Sequence, residues 1–215
     1  MSGFYQQLQN STESERAALL SVPIIQSALQ GSLTRAQYVA FLTQAYHHVR
    51  HTVPLLMACG SRLGPQHITL QRAIAEYIEE EIGHDEWILN DIRACGVDAE
   101  PVRHGIPHHE TEMMVAYAYH QIDRGNPIGF FGMVHVLEGT SVSVATQAAQ
   151  AIQQTLNLPT DAFSYLLSHG SLDQEHVLFF ENLMNTITSE EDQRVILHCA
   201  RRFYRLYGDV FRSLL

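Results

Sequence analysis

The stretch His169-Gly-Ser-Leu-Asp173-Gln-Glu-His176 spaces two histidines and an aspartate at i, i+4 and i+7. A helix turns by about 100° per residue, which brings these positions within roughly 60° of one another on one face. The row therefore reads as a helix with one strongly polar face. Imidazole nitrogen beside carboxylate oxygen suits Fe, Mn, Zn or Co, and the mixture is typical of non-haem iron. A polar face whose histidines are only solvated or packed is the plain alternative, and the row alone does not decide between them.

Two further stretches bear on that choice. In Glu79-Glu80-Glu81-Ile-Gly-His84-Asp85-Glu86-Trp87, Glu81 and His84 stand at i, i+3 and reach one metal from a single helix face. Glu-x-x-His is the unit that carboxylate-bridged di-iron bundles use. In His135-Val-Leu-Glu138-Gly-Thr, a lone carboxylate sits in an apolar run that begins at Phe130. Burying a carboxylate among Phe, Met, Val and Leu is costly unless a cation compensates it. Glu81, His84, Glu138, His169, Asp173 and His176 together give three carboxylates and three imidazoles from three helices, enough for two metal ions.

Composition narrows the class. A chain of 215 residues with 46% hydrophobic content buries a sizeable core, and one domain spanning 1–215 is expected. A formal charge of −10 argues against a nucleic-acid footprint, which needs clustered Lys and Arg. Thirteen His against thirteen Lys plus Arg favours metal or proton chemistry. Cys59, Cys95 and Cys199 are odd in number and far apart, which fits reduced thiols rather than a disulfide framework or a zinc site. No secretory signal and no run of about 18 apolar residues is seen, so a soluble, cytoplasmic protein with no membrane partner is expected.

The apolar pattern is helical throughout. Ser11 or Thr12, with a capping box Thr12-Glu-Ser-Glu15, opens a helix that runs to about residue 30, where Gly31 stops it. Thr34 opens the next, whose Tyr38, Phe41, Leu42, Ala45 and Tyr46 recur at three- and four-residue intervals, with a kink expected at Pro54. Residues 60–66 form a turn, and the Glu81/His84 helix spans about 66–94, ending at Gly96. Residues 97–107 read as a loop, 108–124 as a helix ending at Gly125-Asn126-Pro127, and 127–156 as a helix rich in small residues. Pro159-Thr160 opens the His169 helix and Ser189 caps the last. Neither a Val/Ile alternation nor a repeat occurs. An all-α, single-domain bundle of about seven helices follows.

On Glu81-x-x-His84 followed by Asp85-Glu86, Glu138 in Val-Leu-Glu-Gly-Thr, and His169-x3-Asp173-x2-His176, in that order, the chain resembles the haem-oxygenase-like di-metal oxidases. That branch shares a superfamily with the thiaminase II and pyrroloquinoline-quinone synthase proteins. The resemblance covers nearly the whole chain. It implies a seven-helix fold, a homodimer, and a non-haem site of two Fe(II) ions that activates O2, with manganese an option in one position. Haem and nucleotide are not expected. Family members oxidise varied substrates, among them fatty acids, amino-acid nitrogens and a tyrosine of the enzyme itself, and the sequence does not choose among them. Three carboxylates against two divalent ions leave the site about one charge positive, with Glu138, alone on its helix, as the natural bridge.

The remaining candidates have two readings each. Phe41, Tyr46, Arg50, His51, Tyr77, Phe130, Phe131 and Met133 are taken as a largely apolar substrate pocket, with Arg50 and His51 able to hold a substrate carboxylate or amine. For Tyr77 a core position is the default reading, and Phe203, Tyr204 and Tyr207 are likewise read as core before pocket. His47, His48 and His51 could suggest a haem ligand, yet no haem-pocket pattern accompanies them, so surface positions or places behind the ligands are expected. Asp85 and Glu86 either orient the imidazoles or are exposed charges. A thiaminase II activity is disfavoured because the Glu138 helix carries no Cys. A pyrroloquinoline-quinone synthase activity is disfavoured because Arg50, His47 and His51 are too few for a polyanionic substrate. A ferritin-like bundle leaves His169 without a role. A non-catalytic helical ligand-binding protein is the remaining alternative. The interface of a dimer is expected on residues 141–152 and 211–215.

Overall fold

Thr34 shows how local chemistry sets an element boundary. Its Oγ1 accepts from the Gln37 backbone N–H at 3.2 Å, and Gln37 Oε1 accepts from the Thr34 N–H at 2.9 Å, a reciprocal capping box. The computed structural model describes residues 3–214, and the side chains of Val142 and of 169–176 lie outside the described residues. In chain order the helices are α1 (Phe4–Ser11), α2 (Glu13–Leu20), α3 (Pro23–Leu29), α4 (Arg35–Val49), α5 (Thr52–Arg62) and α6 (Ile68–Glu81). Then follow α7 (His84–Ala94), α8 (Glu100–Arg103), α9 (His109–Arg124), α10 (Phe131–Leu156), α11 (Ser164–Asn185) and α12 (Glu190–Arg212). Short 3-10 turns sit at Pro65–His67, Pro127–Phe130 and Thr160–Ala162. No strand occurs among the described residues, and the fold is the expected all-α bundle.

There are more helices than the seven expected, because several long ones are broken. Residues 12–30 divide at Ser21–Val22, where Pro23 opens α3 and holds Val22 extended at φ −61°, ψ 130°. Thr12 holds the N-cap position of α2, but its side chain caps nothing: its hydroxyl donates to the Leu8 carbonyl at 2.8 Å, and the chain is already helical from Phe4. Between α4 and α5 the break falls at Arg50–His51. Pro54 lies in the first turn of α5, where its missing N–H leaves no helical bond unmade. Gly83, with φ +94°, separates α6 from α7. The loop after Gly96 contains α8. Ser189 caps α12 as expected, accepting from the Asp192 N–H at 3.3 Å.

The largest helix contacts are those of α10, which lies against α11 and α12 and also touches α3. Its crossing with α12 depends on Gly132, where a Cβ would stand 2.6 Å from the Ala200 nitrogen and 2.8 Å from the Ile196 carbonyl oxygen. Farther along α10, Ala145, Ala148, Ala149 and Ile152 are buried within the chain, and Ser143, Thr146, Gln147 and Gln150 face outward. Those four apolar residues of the expected interface segment are thus covered by the chain's own packing. Phe211 and Leu214 likewise line an internal cavity. Cys59, Cys95 and Cys199 are free and buried, as expected of reduced thiols. No single helix among the described residues is long and apolar enough to cross a membrane.

Candidate metal centre

Helices α4, α5, α6, α10, α11 and α12 turn side chains into one cavity, with an empty volume of about 770 Å³ including its open mouth. Most of its wall is apolar, from residues such as Leu55, Leu56, Phe130, Met133 and Leu137. Into that wall α6 inserts Glu81 and Tyr77, α10 inserts Glu138, and α4 inserts His48. Two carboxylates facing one largely apolar space are the costly arrangement that a cation relieves. The field is felt at Tyr77: burial pushes its phenol well up, and the charges of Glu138, Glu80 and Glu81 push it further the same way. The phenol stays protonated and lies 3.5 Å from Glu138 Oε2, toward which its O–H points as donor.

His84 does not share a continuous helix with Glu81. Glu81 ends α6 and His84 begins α7, with Gly83 in the left-handed region between them. The turn nevertheless brings His84 Nδ1 to 3.0 Å from Glu81 Oε2. That distance suits a hydrogen bond. It also equals the spacing of two adjacent ligands held at right angles about 2.1 Å from one metal ion. His84 is buried, with its ring 4.1 Å from that of Trp87. Oxygen from Glu81 and Glu138 and nitrogen from His84 are donor types that a transition metal takes, although the described residues by themselves bring no three His, Cys, Asp or Glu side chains within reach of one ion.

Of the six expected ligands, Glu81 and Glu138 line one cavity and His84 adjoins Glu81. His169, Asp173 and His176 lie on α11, and their side chains are outside the described residues. Helix α11 packs on α6, α7 and α10, the three helices that carry the other three ligands. Its start is tied down by Asp91 of α7, fully buried, which accepts from the backbone N–H of Ser164 at 3.1 Å, that of Tyr165 at 2.9 Å, and the Ser164 hydroxyl. Burial raises the Asp91 carboxyl above its usual range, and these donors pull it back.

The expected substrate pocket is only partly assembled. Tyr77, Phe130 and Met133 line the cavity of Glu81 and Glu138. Phe41 lines a neighbouring cavity instead, and Phe131 is fully buried in the core. The break after α4 carries Arg50 out to solvent, where its guanidinium lies 5.5 Å over the Tyr46 ring. His51 pairs with the Tyr119 hydroxyl at 3.2 Å. Arg50, His51 and Tyr46 therefore stand apart from the carboxylates. Glu86 is a surface charge paired with Arg103.

His48, expected either at the surface or behind the ligands, is not at the surface. It is 3% exposed and in the cavity wall, and His47 is buried too. Its Nδ1–H donates to the Gln44 carbonyl at 3.0 Å, which makes Nε2 the basic nitrogen of the neutral ring. The signal was available: His48 continues the core-facing row Tyr38, Phe41, Ala45 at three- and four-residue steps. Tyr207 of α12, read as core, also reaches this wall.

Another buried histidine lies outside the cavity. His135 packs against Tyr5, Phe180 and Tyr204, 3.4 Å from Thr12 Oγ1. The Thr12 proton is engaged with Leu8, so His135 Nε2–H is the donor to Thr12. Burial, and secondarily Arg16, lower its pKa to about 4 from 6.5. Unfolding therefore takes up a proton between these values, and stability present above pH 6.5 is lost as the pH falls to 4, by about 3 kcal/mol in full. Denaturant unfolding at pH 7 and pH 5 should show about 2 kcal/mol of this loss in the wild type and a smaller one in His135→Phe. An equal loss in both would remove His135 from the account.

In sequence, residues 39–208 match the family described as iron-containing redox enzymes. No curated protein matches the chain. In structure, a domain of unknown function with a haem-oxygenase-like fold from Shewanella denitrificans superposes with a TM-score of 0.87, at 22% identity, over 100% of this chain and 92% of that one. A TenA homologue from Pseudomonas syringae gives 0.80 at 12% identity over 98% and 92%. Haem oxygenase from Leptospira interrogans gives 0.77 at 16% identity over 99% and 100%. The match over 170 residues and the shared all-α architecture agree with the resemblance read from the motifs: this chain has a haem-oxygenase-like fold and belongs to the iron-containing redox enzyme family.

Proposed function

We propose that the chain is an O2-using oxidase or oxygenase whose two iron ions are held by Glu81, His84 and Glu138 together with His169, Asp173 and His176, with manganese an option in one position. The observation that carries this reading is the pair Glu81 and Glu138, brought from two helices into one apolar-walled cavity beside His84. Ferrous iron bound there supplies the electrons that reduce O2. The chain's own residues do the rest. Leu55, Leu56, Phe130, Met133 and Leu137 keep bulk water from the reacting atoms and favour a small, mostly apolar organic substrate. Tyr77 donates toward Glu138 and fixes that carboxylate's orientation. His48, oriented by its Nδ1–H donation to the Gln44 carbonyl, stands in the same wall.

The test is oxygen uptake. Metal-free protein is loaded anaerobically with two equivalents of ferrous ion and then mixed with O2. Consumption should be much faster than for the same iron in protein-free buffer. Equal rates would replace the oxidase reading with that of a binding protein.

A further inference from the structure

A second cavity lies beside the first, between α3, α4, α10, α11 and α12, with an empty volume of about 690 Å³ including open space. Ile24, Ile25, Phe41, Ala148, Leu166 and Phe211 supply much of its surface, and no charged side chain is among the described residues lining it. The two cavities have Ser141, Tyr165 and Tyr207 in common. Tyr207 occupies the junction: its ring lies 5.8 Å from that of His48 on the carboxylate side and 4.8 Å from that of Phe211 on the apolar side. It is 6% exposed, and its hydroxyl, which makes no hydrogen bond among the described residues, keeps accessible surface rather than being sealed in the core.

We propose that the second cavity is a binding compartment for the aliphatic tail of an amphiphile, and that the Tyr207 O–H donates to the polar group where tail and head meet. An apolar space cannot reward a polar ligand, and the unpartnered hydroxyl at its inner end supplies the one polar contact an amphiphile needs. The compartment's role as the tail subsite of the oxidised substrate rests on the function proposed above; its affinity for an aliphatic tail does not. Tyr207 is here a specificity-determining residue.

Straight-chain 1-alkanols from hexanol to decanol test the binding by calorimetry on metal-stripped protein in chelator, so the outcome does not depend on iron chemistry. Affinity should rise about fourfold per added methylene, the equivalent of about 0.8 kcal/mol of transfer free energy. Tyr207→Phe should weaken every alkanol by about fivefold while keeping the methylene increment, since it removes one hydrogen bond and little volume. Ala148→Phe, and independently Val144→Phe at the half-buried edge of the cavity, should abolish the increment. A chain-length dependence unchanged in either filled variant that retains its helical circular dichroism, or no binding of any alkanol to the wild type, would overturn the compartment. Equal affinities for wild type and Tyr207→Phe would overturn the role of Tyr207. Failure of oxygen uptake with intact alkanol binding would count against the oxidase alone.

Discussion

Glu138→Gln is expected to reduce ferrous-ion affinity by at least about a thousandfold and to abolish the metal-dependent oxygen uptake, while making the metal-free protein more stable. The amide nearly conserves volume and still offers an oxygen to the Tyr77 hydroxyl, 3.5 Å away in the wild type. It removes one negative charge from a cavity that also holds Glu81. A unit charge about 4 Å from another contributes about 4 kcal/mol at an effective dielectric constant near 20, or close to three decades in affinity. A divalent ion in direct contact loses more. Without metal, the same removal relieves repulsion between Glu138 and Glu81, so the melting temperature in chelator should rise. Opposite signs for affinity and stability are the signature of a carboxylate kept for a cation. If affinity and stability fell together, Glu138 would be a packing residue.

Asp91→Ala should give the largest loss of stability, about 3–5 kcal/mol, and should also lower iron content in the molecules that remain folded. Asp91 accepts from two backbone N–H groups and one hydroxyl at the start of α11. Those N–H groups belong to the first turn of the helix, where no intrahelical acceptor exists, so the carboxylate of one helix caps another. Removing it leaves buried donors unmet, a cost of about 1–3 kcal/mol each. Asp91→Asn keeps one acceptor oxygen and should recover part of the loss. The effect on iron follows from topology, because α11 carries the His169, Asp173 and His176 row and its N-terminal end is fixed to α7, which carries His84. Chemical denaturation and metal analysis of the folded fraction measure the two effects separately. A variant within 1 kcal/mol of wild type would show that α11 is held by its side-chain packing alone.

The sequence was most readable where a local rule and a tertiary need coincide. Thr34 with Gln37, and Ser189 with Asp192, stand at their expected boundaries because a cap is satisfied by neighbours in the chain. The 3.6-residue pattern marked the helical class for the same reason: it records which face is buried. Breaks were harder to read. Gly83 looks like one more residue of the Glu81/His84 helix until its φ of +94° turns the chain, and Glu81 and His84 then meet across a turn rather than along a helix face. Pro54 drew attention that belonged to Arg50–His51, because a proline in a first turn breaks nothing. Asp91 was invisible, since a cap supplied from 73 residues away leaves no local motif. Within the site, Glu138 was legible as a carboxylate that an apolar run could not otherwise accommodate, and it lines the cavity with Glu81. His48 was missed because a haem reading was weighed and set aside without asking where the core-facing row of α4 leads. Arg50 and His51 were drawn into the pocket by chain proximity to it, and the turn after α4 carries them elsewhere.

The central claim is that Glu81, His84 and Glu138 act with the three α11 residues as a two-metal site, and anaerobic equilibrium dialysis against ferrous ion followed by metal analysis tests it most directly. The account predicts two iron ions per chain for the wild type, and a lower content for His169→Ala and His176→Ala with the helical circular-dichroism signal retained. Full iron content in both variants, or none in the wild type, would contradict it.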